Sequence, residues 1–476
     1  MTSETETTVV RGGTIWTGGA KPEIHYRQDL VIENGEVAAI EPDYKRCADL
    51  EIDAHNCLVA PGLINAHVHP GNSPRSRGLA EDVEPPEGAA FYHMTLPVQL
   101  YARNVLSADD VLTIMEWDLI AMLCGGATTI VAEQFGPVDN WLRLVDRIGV
   151  RCHLGLTYPN DLGAIGFIKD GEITTDSTGD VALDLEQGLR LHDHYHGAFD
   201  DRLRVHLSPH GPDTVPEELL RETKRQCAER GIHAHLHLAQ HLSERNTIAE
   251  RFGGRTSVQY LNDIGFLGAD VMATHVTFVD DDDIGILAET RTHVVHASYR
   301  KAKEGIASPF WDFLKRGVNV AIATDSFSHD LIQDLKFAAM IGKIRGSQVG
   351  HPTAREVLGC ATQGAANALG RPDLGHLNPG ARGDVTVISL LSPFNSPVLD
   401  PVRALVYYSS AADIRHTLVN GRLLYSEGKV AGSEVDAVRR RTIAACDRLW
   451  QSAAEGGAMP EGTRYKSAGY TGTPAE

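Results

Sequence analysis

Eight short apolar stretches alternate with longer amphipathic stretches between residues 58 and 324. Short apolar runs bounded by turn residues predict buried strands, and amphipathic stretches between them predict helices. The predicted strands lie near 58–66, 128–133, 150–157, 203–208, 232–238, 270–275, 292–296 and 318–324. Eight strand–helix alternations favour an α/β fold in which the strands close into a (β/α)8 TIM barrel, rather than an open sheet.

Both ends of the chain have a different pattern, in which short alternating strands are separated by glycine and Asn-Gly turns. The segments "DLVIENGEVAAIEP" near the start and "LVNGRLLYSEGKV" after residue 376 are typical of hairpins. A length of 476 residues suits one large barrel with a smaller module. We therefore predict a small β-sandwich formed by both chain ends, residues 1–57 and 371–476, around a catalytic barrel at 58–370. The second half also carries a helix and a loose tail at 457–476.

The composition and the net charge argue against several classes of binding partner and compartment. A net charge of −19 argues against nucleic acid and against an anionic membrane surface. No apolar run is long enough to span a membrane, and the polar start "MTSETETTVVRGG" is unlike a signal peptide. The seven cysteines are odd in number and form no C-x-x-C motif, which favours a reducing compartment. We expect a soluble, cytoplasmic protein that acts on a small molecule.

Histidines cluster at the ends of two predicted barrel strands. His67 and His69 end the first strand in "PGLINAHVHP", and residues i and i+2 of a strand share one face. Both imidazoles are therefore expected to point into the mouth of the barrel. In "HAHLHLAQHLSE" the same rule places His233, His235 and His237 on one face. His237 is nearest the rim, whereas His233 and His235 are predicted to be core residues.

Two more predicted strands end in residues that bind metals. The sixth strand ends at His275 in "VMATHV", and the eighth ends at Asp325 in "VAIATDSFSHD". A buried strand that leads into a carboxylate is costly unless the charge is paired or bound to a metal. Imidazoles with one carboxylate suit Zn²⁺ best and also accept Fe²⁺, Co²⁺ or Mn²⁺. Such an ion lowers the pKa of a coordinated water toward neutrality.

These pieces together resemble the amidohydrolase superfamily, in the branch of metal-dependent hydrolases that contains cytosine deaminase and triazine hydrolase. The matching motifs occur in the order "PGLINAHVHP", "SPHGPDT", "LHLAQH", "ATHV", "VVHAS" and "ATDS". The resemblance extends to the hairpins of both chain ends and so covers nearly the whole chain. Relatives that hydrolyse phenylurea or thiocarbamate herbicides are the functional analogues we consider first.

The resemblance implies a role for each matching residue. One divalent ion, most simply Zn²⁺, is expected, because the fourth strand "LRVHLSPHGP" offers no lysine to bridge a second ion. By analogy, a homodimer or homotetramer is also expected. The implied metal ligands are His67, His69, His237 and Asp325; the implied catalytic residues are Asp325 and His275; the implied substrate contacts are His210, Gln240, His296 and Glu133. Two readings stay open beside these: His296 as a hydrogen-bonded barrel residue, and Glu133 as a partner of a ligand histidine.

One position departs from the deaminases of this branch. Their fifth strand carries His-x-x-Glu, whose glutamate moves a proton to a ring nitrogen, whereas this chain has Gln240. An amide cannot act as a general acid at neutral pH. We therefore favour hydrolysis of a C–N or C–S bond at the carbonyl of a small amide, urea, carbamate or thiocarbamate, which needs no ring protonation.

Two alternatives remain beside carbonyl hydrolysis. The first is deamination or dechlorination of a nitrogen heterocycle of the cytosine, guanine or triazine type, with His241 or Glu133 as proton source. The second is a non-catalytic scaffold, against which the complete ligand set argues. Long connections at 70–106 and 158–180 follow the first and third strands and are predicted pocket walls. The segment "SYRKAKEG" after the seventh strand either reaches the pocket mouth or is surface charge.

Overall fold

The computed structural model describes residues 6–79, 81–82, 95–159 and 181–459. Much of the two predicted pocket walls and of the tail lies outside these residues. The first five strands are β1 Thr7–Trp16, β2 Ile24–Glu33, β3 Glu36–Glu41, β4 Leu50–Asp53 and β5 Cys57–Pro61. Eight more follow as β6 Leu63–Val68, β7 Ala127–Gln134, β8 Arg151–Tyr158, β9 Leu203–Pro209, β10 Ala234–Leu238, β11 Val271–His275, β12 His293–His296 and β13 Val320–Ile322. The last four are β14 Val385–Ser389, β15 Ile414–Val419, β16 Arg422–Ser426 and β17 Lys429–Val430.

Strands β6 to β13 form a parallel sheet in which each strand pairs with its neighbours in chain order. The sheet curves into a nearly closed barrel, because a parallel bridge joins Val68 at the end of β6 to Asp325 just after β13. At this seam the backbone N–H of Asp325 donates to the carbonyl oxygen of His67 over 3.0 Å. Parallel strands covered on both faces need continuous apolar sequences, which these runs supply. The predicted TIM barrel is confirmed.

The predicted first barrel strand, 58–66, is wrong in one respect, because it divides into two strands. Strand β5 pairs with β1 and β14 in the small sheet, and β6 begins the barrel after Gly62. A Cβ atom on Gly62 would lie 2.1 Å from the hydroxyl of Thr128, so only glycine fits where the chain crosses between the sheets. The sequence "CLVAPGLINAH" is apolar over most of its length. It therefore gives no sign that the chain passes from the small sheet to the barrel at Gly62.

The two ends of the chain form one module, as the sequence predicted. Its strands make a mixed sheet of nine, in the order β17-β16-β15-β14-β5-β1-β2-β3 with β4 beside β1. The N-terminal and C-terminal halves meet where β14 runs antiparallel to β5. Buried side chains that include Val10, Ile15, Leu30 and Val387 form the core of this module.

Helices cover the outside of the barrel, and the long helix near the C-terminus packs against one of them. Val435–Glu455 packs along Ala108–Cys124 through buried residues such as Cys446 and Ile114. In the part of the chain that the structure describes, no helix is long and apolar enough to cross a membrane. The helices are Asn72–Ser76, Leu96–Ala102, Ala108–Cys124, Asp139–Ile148, Val181–Tyr195, Ala198–Asp201, Glu217–Arg230, Leu242–Arg251, Ser257–Asp263, Asp281–Thr290, Ser298–Lys303, Phe310–Lys315, Leu331–Gly346, Ala354–Cys360, Gln363–Ala368, Pro401–Tyr408 and Val435–Glu455, with a 3-10 turn at Ala411–Asp413.

A buried ion pair ties the barrel to the small sheet. Arg151 begins β8, and its Nε and Nη2 atoms donate to the two carboxylate oxygens of Asp384 over 2.8 and 3.0 Å. The same carboxylate accepts the backbone N–H of Asn420 over 2.9 Å. Neither side chain of the pair is exposed by more than 5%. A bidentate pair of this kind fixes orientation as well as position.

Arg151→Met is expected to lower the free energy of unfolding by about 3–5 kcal/mol, because it leaves the charge of Asp384 buried without its partner. Arg151→Met with Asp384→Leu is expected to regain much of the loss, since both charges are then gone. Urea denaturation followed by circular dichroism measures both. The exposed Arg225→Met serves as control and should change stability by less than about 1 kcal/mol. An effect of Arg151→Met as small as that of the control would contradict the linking role of the pair.

Candidate metal centre and active site

Five buried side chains meet at the carboxyl ends of the barrel strands. They are His67 from β6, His69 directly after β6, His237 from β10, His275 from β11 and Asp325 after β13. The Nε2 atom of His69 lies 3.2 Å from Nε2 of His67 and 3.3 Å from Nε2 of His237. The structure therefore brings together the ligand set that the sequence predicted.

The far side of two of these imidazoles is fixed by backbone carbonyls. Nδ1 of His69 donates to the carbonyl oxygen of Glu133 over 3.2 Å, and Nδ1 of His237 donates to that of His210 over 3.0 Å. These bonds select the tautomer whose Nε2 lone pair faces the centre. Two lone pairs so close together repel each other unless a cation lies between them. Nitrogens bound tetrahedrally to a zinc-sized ion at about 2.0–2.1 Å lie about 3.3–3.4 Å apart, so the donor set fits one divalent ion.

The protonation of the centre also suits a metal. Burial, followed by the neighbouring imidazole of His69, lowers the pKa of His237 to about 4. Burial and the same neighbour hold the pKa of His67 well below its usual range. Both rings are therefore neutral at pH 7, which is the form in which histidine binds metals.

Asp325 and His275 complete the centre, and the ring of His275 stacks on that of His237 at 5.5 Å between centroids. The carboxylate of Asp325 is 3.9 Å from Nε2 of His69 and 3.7 Å from Nε2 of His275, and it accepts a hydrogen bond from the Ser326 hydroxyl over 2.9 Å. His275 has φ of 78° and Asp325 has φ of 58°, which is the left-handed region that side chains disfavour. Backbone strain of this kind is maintained where position matters for function.

A buried arginine faces the same carboxylate. Arg300 belongs to the short helix Ser298–Lys303 after β12, and its Nε atom lies 2.7 Å from Asp325. Burial alone would raise the pKa of Asp325, but the charge of Arg300 and the nearby imidazoles keep it below its usual value. The next residue, Lys301, donates to the backbone carbonyl of Gln240 over 3.2 Å. The segment "SYRKAKEG" therefore contributes to the site and is not simply surface charge.

Gln240 lines the cavity, and both its backbone N–H and its backbone carbonyl are hydrogen-bonded. Its N–H donates to the Glu244 carboxylate over 2.8 Å, and its carbonyl accepts from Lys301. The side-chain amide, by contrast, makes no hydrogen bond with any residue that the structure describes, so its donor and acceptor are available to a ligand. The cavity has a volume of about 340 Å³. Its lining residues are His69, Asn72, Phe135, His210, His237, Gln240, Arg300, Asp325 and Ser326.

Two predicted substrate contacts lie outside this lining. Glu133 is 1% exposed and accepts hydrogen bonds from His206 over 3.1 Å and Thr157 over 3.0 Å, with His235 Nδ1 at 3.0 Å. Burial opposes ionisation of Glu133, but the charges and hydrogen bonds of these histidines hold its pKa well below the usual range. The structure therefore places Glu133 as an ionised partner behind the metal centre, not as a proton donor at the substrate.

His296 also lies in the barrel wall. Its Nδ1 atom is 2.8 Å from the Ser298 hydroxyl, and its ring packs edge-on against Phe310 at 5.1 Å between centroids. Burial lowers the pKa of His296 to about 3, as expected for a neutral core histidine. His210, by contrast, lines the cavity, with Nδ1 2.9 Å from the Thr214 hydroxyl.

Sequence reasoning missed three residues of the lining, Asn72, Phe135 and Ser326. Each follows the carboxyl end of a barrel strand, and the loops there build the active face of a TIM barrel. Counting forward from the ends of β6, β7 and β13 identifies the loops but not the residues within them. Nothing in the sequence distinguishes them from other loop residues.

Residues 58–424 match the model of the amidohydrolase family, which is well over half of the chain. The chain belongs to the amidohydrolase family. It is a hydrolase whose relatives act on carbon–nitrogen bonds. This amidohydrolase is 32% identical over 429 residues to the 5'-deoxyadenosine deaminase of Methanosarcina acetivorans, with 88% of this chain and 93% of that protein covered. It is 34% identical over 436 residues to the 5-methylthioadenosine/S-adenosylhomocysteine deaminase of Haloarcula marismortui, with 89% and 95% covered.

Solved structures agree with this amidohydrolase in fold. The adenosine deaminase of Xanthomonas campestris with bound zinc has a TM-score of 0.82 at 19% identity, with 93% of this chain and 98% of that one covered. The atrazine chlorohydrolase of Arthrobacter aurescens, complexed with zinc, has a TM-score of 0.81 at 22% identity, with 92% and 100% covered. At these identities the likeness establishes the architecture of the barrel and of the small sheet.

Proposed function

We propose that this amidohydrolase uses one bound zinc ion to hydrolyse an amino group from a ring carbon of a nitrogen heterocycle. The observation that carries the proposal is the complete buried ligand set at the barrel mouth, in a chain whose relatives at 32% and 34% identity are named deaminases. Zinc is proposed because two chains of the same fold are described with that ion. These relatives support the heterocycle alternative better than the carbonyl hydrolysis that the sequence alone favoured.

Each residue of the site has a separate proposed role. His67, His69 and His237 would hold the ion, which when bound acidifies the attacking water. Asp325 accepts a proton from that water and passes it to the departing amine. Arg300 keeps the Asp325 carboxylate ionised and therefore able to accept that proton.

Gln240 and Arg300 define the substrate class more narrowly. The amide of Gln240 offers one acceptor and two hydrogens, and the guanidinium of Arg300 only donates. This pair matches a ring that carries a carbonyl oxygen beside a ring N–H. Attack of water at the amino-bearing carbon still places charge on the adjacent imine-type ring nitrogen, to which Gln240 can donate a hydrogen bond but not a proton. That proton, like the one that leaves with the amine, therefore has to come from the attacking water by way of Asp325. We therefore propose amino-substituted oxo-heterocycles as substrates.

The zinc-loaded enzyme tests this with three substrate panels. The first contains amino-oxo-heterocycles, the second contains adenine-type nucleosides without an oxo group, and the third contains aryl ureas, carbamates, thiocarbamates and amides. Ammonia release from the first panel, faster than from the second, is expected. Turnover confined to the third panel would overturn the proposal.

Hydrolysis at a carbonyl outside a ring is the second candidate, and one observation favours it. Gln240 has no proton to give, and Glu133, the nearest carboxyl predicted as a substitute, is engaged by His206 and His235. An acyclic amide or urea, unlike an amino-heterocycle, has no ring nitrogen to protonate. The third panel therefore distinguishes the two candidates directly.

Gln240→Glu is expected to lower kcat/KM for an amino-oxo-heterocycle by about 10-fold to 100-fold, because a carboxylate replaces the amide donor that faces the substrate oxygen. The same variant should gain activity on adenine-type rings, which have no oxo group for the amide to donate to and whose ring nitrogen a glutamate can protonate. Gln240→Leu is the matched control and should lose activity on both. A large gain by Gln240→Glu on the oxo-heterocycle would show that an acid is wanted there, and would contradict the assignment.

Self-association as a homodimer or homotetramer stays a prediction. Light scattering coupled to size-exclusion chromatography measures it. A mass close to the 51.7 kDa of one chain would contradict it.

A further inference from the structure

A second polar cavity opens at the end of the barrel opposite the metal centre. Six side chains that carry imidazole or guanidinium groups line it, and we call it the lower cavity. It has a volume of about 530 Å³. These side chains come from the first residues of β8 and β9, from the segments just before β9 and β10, and from the segment after the helix Gln363–Ala368. They are His153, His196, Arg204, His206, His233 and Arg371.

Three buried nitrogen atoms of these residues have no hydrogen-bond partner in the part of the chain that the structure describes. They are Nε2 of His153, Nε of Arg204 and Nη1 of Arg371. His153 and Arg371 are each only 6% exposed. Buried polar nitrogens are almost always satisfied in native proteins, so three in one cavity indicate that something polar binds there.

The nearby carboxylates of Asp201 and Asp373 pair with the two arginines of the lower cavity but do not use all of their N–H groups. Arg371 uses Nε and Nη2 for Asp373, at 2.8 and 2.7 Å, and Nη2 also lies 3.3 Å from Asp201. Arg204 pairs with Asp201 over 2.5 Å and donates through Nη1 to His196 over 3.0 Å. These contacts leave Nη1 of Arg371 and Nε of Arg204 as the atoms without partners.

The chemistry of the unpartnered atoms favours a ligand that accepts hydrogen bonds. Burial holds the pKa of His153 well below its usual range, and the positive charges of Arg371 and His206 lower it further. Among the described residues, no three of the cavity side chains bring their nitrogens close enough to share a metal ion. The remaining N–H groups of the two arginines can only donate, so the ligand that satisfies them has to carry acceptor atoms.

We propose that the lower cavity is a binding site for a phosphoryl group, with Arg371, Arg204 and His153 as its donors. Guanidinium groups suit a tetrahedral oxyanion, because their donors match its oxygens in geometry and charge. The empty space of about 530 Å³ includes the part that opens to solvent, so the rest of a phosphomonoester can extend outward from a bound phosphoryl group. This site is independent of the proposed reaction.

The lower cavity is connected to the metal centre through one residue. His206 bonds to the Glu133 carboxylate over 3.1 Å, and the backbone carbonyl of the same Glu133 accepts from the ligand His69 over 3.2 Å. An anion bound against His206 would therefore act on the residue that orients a metal ligand. A change in KM or kcat on phosphate binding would report this connection.

Isothermal titration with inorganic phosphate at constant ionic strength tests the site. Saturable binding is expected in the wild-type protein, after removal of metal by chelation, and in His237→Ala, because none of these changes touches the lower cavity. His153→Leu breaks no described hydrogen bond and should weaken binding by about tenfold or more, and Arg371→Met should weaken it further. Thermal unfolding of each variant confirms that it is folded.

Adenosine monophosphate and adenosine distinguish the source of the phosphoryl group. Tighter binding of the monophosphate than of inorganic phosphate would identify a phosphomonoester, and tighter binding of phosphate would identify the free anion. The proposal is overturned if the wild type shows no saturable phosphate binding. It is also overturned if binding disappears on chelation, or if folded His153→Leu and Arg371→Met both bind as the wild type does. None of these outcomes depends on whether the enzyme releases ammonia.

Discussion

Replacing His237 with alanine is expected to abolish both metal binding and turnover. Its Nε2 atom lies 3.3 Å from Nε2 of His69. Its Nδ1 atom donates a hydrogen bond to the backbone carbonyl of His210. The ion contributes several kcal/mol of transition-state stabilisation, and each 1.36 kcal/mol is worth about tenfold in rate. We therefore expect kcat/KM to fall by about a thousandfold or more.

Metal analysis by mass spectrometry and steady-state kinetics measure this result together. The wild type should carry about one divalent ion per chain, and His237→Ala should carry close to none. The control is His296→Asn, which alters another buried histidine on a barrel strand whose ring packs on Phe310. This control should keep its metal and most of its activity. Full metal content and activity in His237→Ala would contradict the ligand assignment.

Replacing Arg300 with methionine is expected to reduce kcat by about 100-fold to 1000-fold, within the range that general acid–base catalysis contributes. Arg300 lies 2.7 Å from the Asp325 carboxylate in a site where both side chains are almost fully buried. Burial raises the pKa of Asp325, and the charge of Arg300 is what chiefly lowers it. Without that charge the carboxyl takes up a proton more readily and can no longer accept one from water.

The direction in which the pH profile moves follows from the change in the pKa of Asp325. The acidic limb of the pH–kcat profile should move to higher pH in Arg300→Met, because the pKa of Asp325 rises. Arg300→Lys keeps the charge but loses the planar guanidinium, so it should recover only part of the rate. Lys303→Met alters a cation on the same short helix and serves as control. An unchanged acidic limb together with an unchanged kcat would refute the role of Arg300.

The sequence predicts the positions of the clustered histidines well because strand geometry is local. Side chains alternate across a strand, and the carboxyl ends of parallel strands meet at one rim, so His67, His69 and His237 could be placed without a structure. The same rule assigns His235 to the core, and its Nε2 is indeed 2.6 Å from the Thr274 hydroxyl. The barrel itself follows from the eight alternations of strand and helix.

What the sequence did not predict depends on contacts between distant segments. Glu133 lies next to the end of β7 and was predicted either to contact the substrate or to pair with a ligand histidine; its carboxylate instead contacts His206 and His235 from two other strands. Arg300 lies in a charged segment typical of an exposed helix, and only its distance to Asp325 reveals its place. His233, predicted to be a core residue, lines the lower cavity.

Hydrolysis in water enriched in heavy oxygen tests hydrolytic displacement at a ring carbon. The zinc-loaded enzyme is incubated with an amino-oxo-heterocycle, and the product is analysed by mass spectrometry alongside an ammonia assay. We predict one heavy oxygen atom on the ring of the product for each ammonia released, and no product after chelation of the metal. No ammonia and no labelled ring product, with labelled acids formed instead from ureas or carbamates, would contradict it.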